Sequence, residues 1–519
     1  MSRSKHTSYD DLPYDGQAIP VTHPDHLATV ATLMGLSPIH PDQCRVLELG
    51  CGDGRNLIPM AATLPGASLT GIDLSATHIK LASHTSQELG LSNIFFSRMD
   101  LSELPADFGE FDYIVCHGVF SWVPHRVRCR ILEICNRHLS SDGVAFISFN
   151  IFPGWHIRRM VRDMAKLHID RSTAPLTQLN HAREFLQSFL AGIAEQSDSY
   201  SQLVKSEVGK ALRHPDYYFF HEFLEEENQP FYLHEVAAQA ANCGLRYFAD
   251  AELPLSLPVS GAPAIETFLN ATTIDRISRD QHLDFITNRT FRKSLFCRWD
   301  RKVSTDPIAA NMRKLHVSSG GRCVSPSVSG SDYTPMEFST FYGDNCTVTE
   351  PLVKAAFVHI TKISPKSITI DELLAVTRNA CGDAGRQNAN SSDLDLLTHW
   401  LLRTHRNTPA SLVHLRCVPL RHQTELPDLP YVDRVARLFA SRGGAVVNRR
   451  HECLSDDITY QLMLPLLDGT RDQTMIAEEL EQMQKTGQVS IAEEETSSDA
   501  TDRLLNTFLQ FGLYAMPLE

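Results

Sequence analysis

The sequence predicts an α/β fold in which a Rossmann-like parallel sheet is followed by a mostly helical middle region and a C-terminal winged-helix-like region. Strands alternate with helices over residues 45–150, the pattern becomes helical after Gly154, and beyond residue 336 helices are followed by short strands. Alternating strands and helices predict a parallel sheet with helices on both faces. A chain of 519 residues exceeds the size of one hydrophobic core, so we expect several domains.

The first 160 residues carry the strand–helix alternation. An irregular arm over residues 1–40 runs into a helix near His26–Leu36. Strands are predicted at Arg45–Leu49, Leu69–Leu74, Asn93–Met99, Phe111–Cys116 and Val144–Asn150. Helices between them are predicted at Asn56–Thr63, Ser75–Leu89 and Val127–Leu139, and Ser75 is a good N-cap for the second of these helices.

The remainder of the chain predicts two further domains joined by a linker. Middle-region helices are expected at Trp155–His168, His181–Glu195 and Leu233–Cys243, the last closed by Gly244. Further along, helices are expected at Ser367–Cys381, Ser391–His405, Asp433–Ser441, Asp457–Leu467 and Thr501–Phe511, with a strand at Leu412–Val418. We predict domains over 1–160, 161–300 and 336–519, with a linker over 301–335 whose Ser- and Gly-rich part is 316–332.

The amino-acid composition of the chain limits the kinds of molecule that it is expected to bind and its expected location. The formal net charge is −14, which does not suit broad binding to nucleic acid phosphates and favours a small molecule, a neutral partner or a basic protein. The beginning of the chain lacks an apolar signal segment, and no run of 18 apolar residues occurs, so we expect neither secretion nor membrane insertion. Its 12 cysteines show no CxxC spacing, which predicts reduced thiols, no structural zinc and a cytoplasmic location.

The strongest motif is the segment from Val46 to Gly54, in which a short strand ends at an acid and enters a turn with three glycines. Glycine lacks a Cβ, so the backbone of such a turn can approach a ligand closely. The turn is similar to that of dinucleotide-binding folds, but Glu48 before it would repel a pyrophosphate. An acid at this place suits a ligand that carries an ammonium group, as the methionyl end of S-adenosylmethionine does. The alternative interpretation is an ordinary tight turn between a strand and a helix.

Two further acids follow the next two predicted strands. Asp73 could accept hydrogen bonds from both ribose hydroxyls, and Asp100 could accept one from an adenine amino group. Taken singly, they could be a helix-capping acid and a loop acid. Together with Glu48 they lie at the carboxyl ends of successive strands, which is where ligands bind in such sheets. The sequence therefore predicts an S-adenosylmethionine site at this edge.

The ends of the fourth and fifth predicted strands should face the methyl group that is transferred. We expect Phe120, Trp122 and Trp155 to shape and dry an apolar channel for the acceptor, and His117 or Asn150 to hold the nucleophile. Aromatic residues at strand ends and single histidines are also common in ordinary cores, so a packing role stays open for each. A lysine acceptor, with a reference pKa of about 10.4, would become neutral through burial beside a sulfonium, which makes a strong base optional.

These motifs and their order resemble the bacterial S-adenosylmethionine-dependent methyltransferases that carry a methyltransferase regulatory domain. That family includes protein-lysine methyltransferases acting on outer-membrane proteins. The resemblance covers nearly the whole chain. The segments that carry it are Tyr9–Tyr14, Thr22–Pro24, Glu48–Ala61, His117–Pro124, Pro153–His156, His221–Leu224, Asp284–Arg292 and Leu466–Asp472.

The resemblance implies a class I methyltransferase domain, S-adenosyl-L-methionine as the cofactor and a protein lysine as the acceptor. The family tends to have Tyr where this chain has Phe120 and Phe149, which removes two hydroxyls that could bind an acceptor amine. The predicted catalytic residues are His117, Phe120, Trp122, Asn150 and Trp155, and no metal ligand is predicted. The predicted cofactor-binding residues are Glu48, Gly50, Cys51, Gly52, Gly54, Asn56, Asp73, Leu74, Asp100, Leu101 and His117.

Three other functions stay open on the sequence. A methyltransferase of a small metabolite or lipid would use the extra domains to close a pocket, whereas a protein acceptor needs an open groove beside residues 117–122. An RNA methyltransferase is disfavoured because no basic patch with aromatic residues is visible. A non-catalytic regulatory protein that keeps the donor site is disfavoured because Glu48, Asp73 and Asp100 are all present. The sequence does not fix the oligomeric state or the number of methyl groups transferred.

Overall fold

A seven-stranded mixed sheet forms the centre of the protein in the computed structural model. The structure describes residues 12, 16–256, 262–325, 333–340, 343–381, 393–405, 411–419, 421–454, 457–492 and 495–515. The strands of the central sheet are β1 (Arg45–Leu49), β2 (Ser68–Asp73), β3 (Ile94–Arg98), β4 (Phe111–Cys116), β5 (Leu139–Asn150), β6 (Leu245–Asp250) and β7 (Phe291–Arg298). They lie in the order β3-β2-β1-β4-β5-β7-β6, in which β1 to β5 pair in parallel and β7 runs antiparallel to both neighbours.

The predicted Rossmann-like arrangement is confirmed for β1 to β5. Strand β5 begins at Leu139 rather than at Val144, and the other strand ends lie within a residue or so of the predicted ones. Ser75 caps its helix as predicted, because its side chain accepts a hydrogen bond from the backbone N–H of His78 at 3.2 Å. The helices of this part are α1 (Pro24–Leu33), α2 (Leu57–Thr63), α3 (Ala76–Glu88) and α4 (His125–His138).

Strands β6 and β7 of the middle region, which were not predicted, extend the parallel sheet beside β5 and make the complete sheet mixed. Strand β7 pairs with β5 so that Asn150 lies opposite Phe291 and Ser148 opposite Lys293. Strand β7 could not be predicted as a central strand from its sequence. Arg292 and the neighbouring polar residues interrupt the apolar pattern that such strands usually show. The middle region is therefore part of the central sheet as well as a helical layer.

Buried charge holds this added edge together. The Arg292 side chain is fully buried, and its Nε donates to Asp284 Oδ2 at 2.9 Å. Its Nη1 donates to Asp250 Oδ2 at 3.2 Å and to the Tyr247 hydroxyl at 3.1 Å. Its Nη2 donates to the backbone carbonyl of Asp280 at 2.9 Å. One guanidinium thus joins β7 to β6 and to the helix that carries Asp280 and Asp284.

The middle region adds a helical layer with its own apolar core, as predicted. Its core is formed by residues such as Val161, Leu179, Val208 and Phe219. One contact ties the N-terminal arm to it, since His221 Nε2 lies 2.7 Å from the carbonyl of Leu12. The helices are α5 (Gly154–Leu167), α6 (Pro175–Gly192), α7 (Ser199–Leu212), α8 (Asp216–Phe223), α9 (Leu233–Asn242), α10 (Pro263–Thr272) and α11 (Arg276–Thr287).

The C-terminal region combines short strands and helices. Two three-stranded sheets have the orders β11-β10-β9 and β12-β8-β13, with strands β8 (His316–Ser318), β9 (Gly321–Cys323), β10 (Met336–Thr340), β11 (Asn345–Val348), β12 (Ile368–Thr369) and β13 (His414–Arg416). The helices are α12 (Pro351–Ile363), α13 (Ile370–Cys381), α14 (Asp393–Thr404), α15 (Arg434–Ser441), α16 (Ile458–Met463), α17 (Gln473–Lys485) and α18 (Ser497–Gln510). No helix of the described ranges has the length and apolar character needed to cross a membrane.

Part of the segment predicted as a linker is folded. Strands β8 and β9 lie within it, and Val317 of β8 is completely buried between two neighbouring strands. The Ser- and Gly-rich composition predicted irregular backbone there, but β8 pairs with β12 and β13 on its two sides. Residues 326–332 of the same segment, and most of Tyr9–Tyr14, lie outside the described residues. The domain boundaries themselves stay predictions.

Candidate active site

The glycine loop leaves β1 at the carboxyl edge of the sheet. Gly50, Gly52 and Gly54 have φ angles of 78°, 53° and 79°, a region that residues with a Cβ rarely adopt. A Cβ on Gly54 would lie 2.7 Å from the ring of Phe96, so this glycine is required by packing. A Cβ on Gly52 would meet no atom within 4 Å in the described part of the chain. The loop therefore presents bare backbone to open space at Gly52, as a ligand cradle requires.

Glu48 ends β1 as a buried acid with one free oxygen. Glu48 is 4% exposed. Oε1 accepts a hydrogen bond from Asn56 Nδ2 at 2.7 Å, whereas Oε2 has no hydrogen-bond partner among the described residues. Burial raises the pKa of Glu48 to about 8, and the bond from Asn56 offsets only part of that effect. A cationic group placed against Oε2 would satisfy this oxygen and favour the ionised carboxylate.

Asn56, predicted to bind the cofactor, is instead bonded within the protein. Its Nδ2 donates to Glu48 and to Thr22 Oγ1 at 3.0 Å, and its Oδ1 accepts from the backbone N–H of Ile19 at 2.9 Å. His451 Nε2 lies 2.9 Å from the same Oδ1. Because both ends of the amide are occupied, Asn56 orients Glu48 rather than reaching into the cradle. The bond from Asn56 to Glu48 and the contact with His451 were not predicted from the sequence, and a contact of Asn56 with the cofactor stays a prediction.

Asp73 and Asp100 follow the adjacent strands, as predicted. Asp73 Oδ2 accepts from the Gly52 N–H at 2.9 Å, and Oδ1 accepts from the Ser75 N–H at 2.8 Å. A carboxylate has about four acceptor positions, so two remain for hydroxyl donors. Asp100 Oδ1 accepts from the Ser102 N–H at 2.9 Å and is half-buried. Strand pairing sets Leu49 beside Ile72 and Asp73 beside Arg98, which brings the three acids to one edge.

The other predicted donor-site side chains lie around this edge in different environments. Leu74, next to Asp73, is 36% exposed, and Leu101, next to Asp100, is half-buried. Cys51 points into the core, where burial raises the pKa of its thiol well above the usual value. Its backbone can border a ligand, but its side chain packs inside the protein.

His117 follows β4 and faces residues that β7 contributes. Its ring lies 5.8 Å from that of Phe291 in an edge-to-face arrangement and 6.0 Å from that of Phe146. Burial, with a smaller contribution from the positive charge of Lys293, lowers the pKa of His117 to about 4, so the imidazole is neutral at physiological pH. Its Nδ1 is buried without a hydrogen-bond partner in the described ranges. Neither Phe291 nor Lys293 was predicted as a site residue, since only the pairing of β5 with β7 places them here.

The predicted channel residues divide into a core group and a site group. Phe120 is fully buried and packs against Phe149 and Phe231 at ring distances of 6.2 and 5.7 Å, so it belongs to the core rather than to an open channel. Trp122 is half-buried and meets the fully buried Trp155 edge-to-face at 6.2 Å. Of the three aromatic residues predicted to line a channel, Trp122 and Trp155 therefore contact each other, and Trp122 is partly exposed.

Two polar atoms beside the tryptophan pair lack partners. Asn150 Nδ2 and Trp155 Nε1 are both buried donors, and neither finds an acceptor within the part of the chain that the structure describes. The Asn150 backbone is fixed on both sides, because its N–H donates to Ser121 Oγ at 2.9 Å and its carbonyl accepts from Phe231 N–H at 3.0 Å. Buried donors without acceptors are costly and are expected where a ligand or water supplies the missing bond.

Three segments of the chain match described families. Residues 46–143 match "Methyltransferase domain", residues 215–298 match "Predicted methyltransferase regulatory domain", and residues 428–515 match "PKMT, C-terminal winged helix domain". The first segment holds the glycine loop and the three acids. The second contains β6 and β7, and the third contains the residue that reaches Asn56.

Two proteins of Rickettsia prowazekii are similar to this chain in sequence. The uncharacterized protein RP789 of Rickettsia prowazekii is 37% identical over 60% of this chain and 56% of its own length. The uncharacterized protein RP028 of the same organism is 32% identical over 46% of this chain and 96% of its own length. The chain thus spans little more than half of the first relative and nearly all of the second.

Solved structures extend the agreement to the fold of nearly the whole chain. The structure of PKMT2 from Rickettsia typhi superposes with a TM-score of 0.82 at 23% identity, over 97% of this chain and 100% of that one. A structure of PKMT2 in complex with AdoHcy superposes with a TM-score of 0.81 at 24% identity over the same shares. At this level of identity the likeness establishes the fold.

Proposed function

The chain belongs to the S-adenosylmethionine-dependent methyltransferases that carry a methyltransferase regulatory domain, and on that premise we propose that it transfers methyl groups to lysine side chains of proteins. The observation that carries the donor assignment is Glu48, a buried acid whose Oε2 has no hydrogen-bond partner among the described residues, at the start of a loop in which a Cβ on Gly52 would meet no described atom within 4 Å. The match of residues 428–515 to the PKMT winged helix domain supports a protein-lysine acceptor. The AdoHcy complex of PKMT2 supports the same kind of donor.

The residues at the edge of the sheet fit the chemistry of S-adenosylmethionine, which supplies a methyl group activated on a sulfonium. Glu48 Oε2 would accept hydrogen bonds from the ammonium of the methionyl end. The remaining acceptor positions of Asp73 would take the ribose hydroxyls, and Asp100 would take the adenine amino group. The open side of Gly52 gives the backbone a close approach without a Cβ in the way.

The acceptor side is suited to an uncharged amine. A lysine must lose a proton before its nitrogen can bond to the methyl carbon as the carbon–sulfur bond breaks. Burial next to His117, together with the positive charge of Lys293 that acts on this place, would lower the pKa of the incoming ammonium, so that the proton leaves to solvent before transfer. The neutral His117, through Nδ1, can then accept an N–H of the amine and orient its lone pair. Trp122 and Trp155 would keep water away from the reacting nitrogen.

Incorporation of label into a protein fraction tests the acceptor class. The full chain would be incubated with methyl-tritiated S-adenosylmethionine and outer-membrane protein extracted from a Gram-negative bacterium. We expect label in protein, and we expect it to disappear when the lysines of the extract are first blocked by acetylation, which removes the nucleophilic lone pair of the amine. Label that survives the block would contradict the lysine proposal. Label that appears only in an added small-molecule or lipid extract would favour the metabolite alternative.

The affinity for the methyl donor should depend on pH through the ionisation of Glu48. Free Glu48 has a pKa of about 8. Below pH 7.5 binding of the ligand's ammonium must release the Glu48 proton, so affinity should rise by up to about tenfold per pH unit. Titration calorimetry with S-adenosylhomocysteine from pH 6 to 9 should show this rise, which should level off near pH 8 as Glu48 becomes ionised in the free protein.

The Glu48→Gln variant is the control for this pH profile. It keeps the shape of the side chain and its place beside Asn56 but cannot ionise. We expect weaker binding and no rise in affinity between pH 6 and 7.5. A wild-type affinity that is flat over that interval would show that Glu48 does not pair with the ligand's ammonium.

A further inference from the structure

A tight turn of the C-terminal region reaches the donor site from far along the chain. His451 lies 395 residues from Asn56 in sequence, yet its Nε2 is 2.9 Å from Asn56 Oδ1. The residue is 1% exposed. Its ring also lies 5.3 Å from that of His23, which precedes α1. The winged helix segment therefore contacts the residue that holds Glu48, in addition to packing elsewhere on the methyltransferase domain.

The direction of the hydrogen bonds follows from the groups involved. Asn56 Nδ2 donates to Glu48 Oε1 at 2.7 Å, so Asn56 Oδ1 is the end that faces His451. Oδ1 can only accept, which requires the proton of His451 to be on Nε2. Burial lowers the pKa of His451 to about 3, so the ring is neutral throughout the working pH range and carries one N–H. The N–H groups of His451 and Ile19 both donate to Asn56 Oδ1. Together they hold the Asn56 amide so that its Nδ2 points at Glu48.

The turn that carries His451 is held in an unfavourable conformation. Its φ is 66°, in the left-handed region that is costly for a residue with a Cβ. Asn448 Oδ1 accepts from the N–H groups of Arg450 and Glu452, both at 2.9 Å. The Glu452 carboxylate in turn accepts from Asn448 Nδ2 at 2.7 Å and from Arg450 Nε at 2.9 Å, and it lies 3.3 Å from His414. A buried network therefore imposes the conformation that brings this ring to Asn56.

We propose that His451 is a positioning residue of the donor site, by which the C-terminal winged helix region fixes Asn56 and, through it, the carboxylate of Glu48. This inference rests on the proposed function, because it assigns His451 to the binding of S-adenosylmethionine. Without the bond from His451, only Ile19 and Thr22 remain to hold the Asn56 amide, so its donor end is less firmly fixed toward Glu48. The ligand-binding site is then complete only when the C-terminal region is docked.

The His451→Asn variant tests this role without disturbing the turn. Asparagine tolerates the left-handed conformation but is too short to replace the Nε2 hydrogen bond. We expect the dissociation constant for S-adenosylhomocysteine, measured by titration calorimetry, to rise about tenfold, the usual size for the loss of a buried hydrogen bond. The matched control is Arg442→Ala, which removes another contact between the same two regions, the bond from Nη1 to Thr85 Oγ1 at 3.1 Å. We expect this control to bind as the wild type does.

A double-mutant cycle separates positioning from a general structural effect. If His451 acts through Glu48, the His451→Asn change should weaken binding less than about twofold in the Glu48→Gln background, because the coupled effects do not add. An equal loss in both backgrounds would overturn the proposal, as would an unchanged affinity in His451→Asn alone. A folded wild-type protein that does not bind S-adenosylhomocysteine would overturn the proposed function and this inference together. Thermal unfolding of each variant confirms that a folded protein is titrated.

Discussion

Replacing Arg292 by methionine should lower the free energy of unfolding by about 3–5 kcal/mol, the usual loss when one partner of a buried ion pair is removed. Arg292 is completely buried and bonds to Asp284, Asp250 and the Tyr247 hydroxyl. Methionine fills a similar volume but leaves these carboxylates in the interior without their cation. Since they connect β7, β6 and α11, we expect the added edge of the sheet to loosen first.

The loss should depend on pH in a definite direction. Burial already raises the pKa of Asp284 to about 6 while Arg292 is present. Without the cation the folded-state pKa rises further above the value in the unfolded chain, so the variant should be more stable at pH 5.5 than at pH 8. Urea unfolding followed by circular dichroism at both pH values measures this.

Arg298→Met is the matched control for this measurement. Arg298 lies on the same strand, but its side chain is 39% exposed and its Asp300 partner is 3.9 Å away. Removal of an exposed pair changes stability by about 0–1 kcal/mol. Equal stability of the Arg292 and Arg298 variants would show that the buried network does not hold the sheet edge.

Replacing Gly52 by alanine should weaken binding of S-adenosylmethionine at least about tenfold, or 1.4 kcal/mol. The added methyl group would meet no protein atom within 4 Å in the described residues, so it would project into the space assigned to the ligand. The N–H of Gly52 also donates to Asp73, which ties the loop to the predicted ribose position. The substitution thus tests the cradle by steric exclusion rather than by loss of a contact.

Gly90→Ala controls for the backbone cost of this change. Gly90 has a φ of 71° and equally open surroundings, but it lies beyond the far end of α3, about 20 Å from the end that follows Asp73. Both variants place alanine in the left-handed region and should be destabilised similarly, by about 1–2 kcal/mol. Binding by the Gly52 variant as tight as that of the Gly90 variant would place the ligand elsewhere.

Local patterns were sufficient to predict where the glycine loop and the three acids lie on the sheet. The strand ending at Glu48, the glycines after it and the acids after β2 and β3 are each encoded within a few residues. Parallel pairing then brings Glu48, Asp73 and Asp100 to one edge without further information. The same patterns could not reveal that the Asn56 amide is fully occupied by partners, because those partners include residues of the N-terminal arm and His451.

Contacts between distant segments explain what the sequence did not predict. Strand β7 was missed because Arg292 is buried with its partners on β6 and α11, and such a pairing is invisible in the periodicity of the strand itself. Phe291 and Lys293 come near His117 only through that strand. Phe120 was predicted to line a channel because it follows β4, yet its neighbours Phe149 and Phe231 enclose it completely.

Titration of the folded protein with S-adenosylmethionine, with the Asp73→Ala variant beside it, tests the donor site most directly. We expect one molecule bound per chain by the wild type and no detectable binding by the variant, because Asp73 both anchors the Gly52 N–H and offers the acceptor positions for the ribose. Equal binding by both proteins would contradict the assigned position of the ligand. The absence of binding by a folded wild type would contradict the methyltransferase function itself.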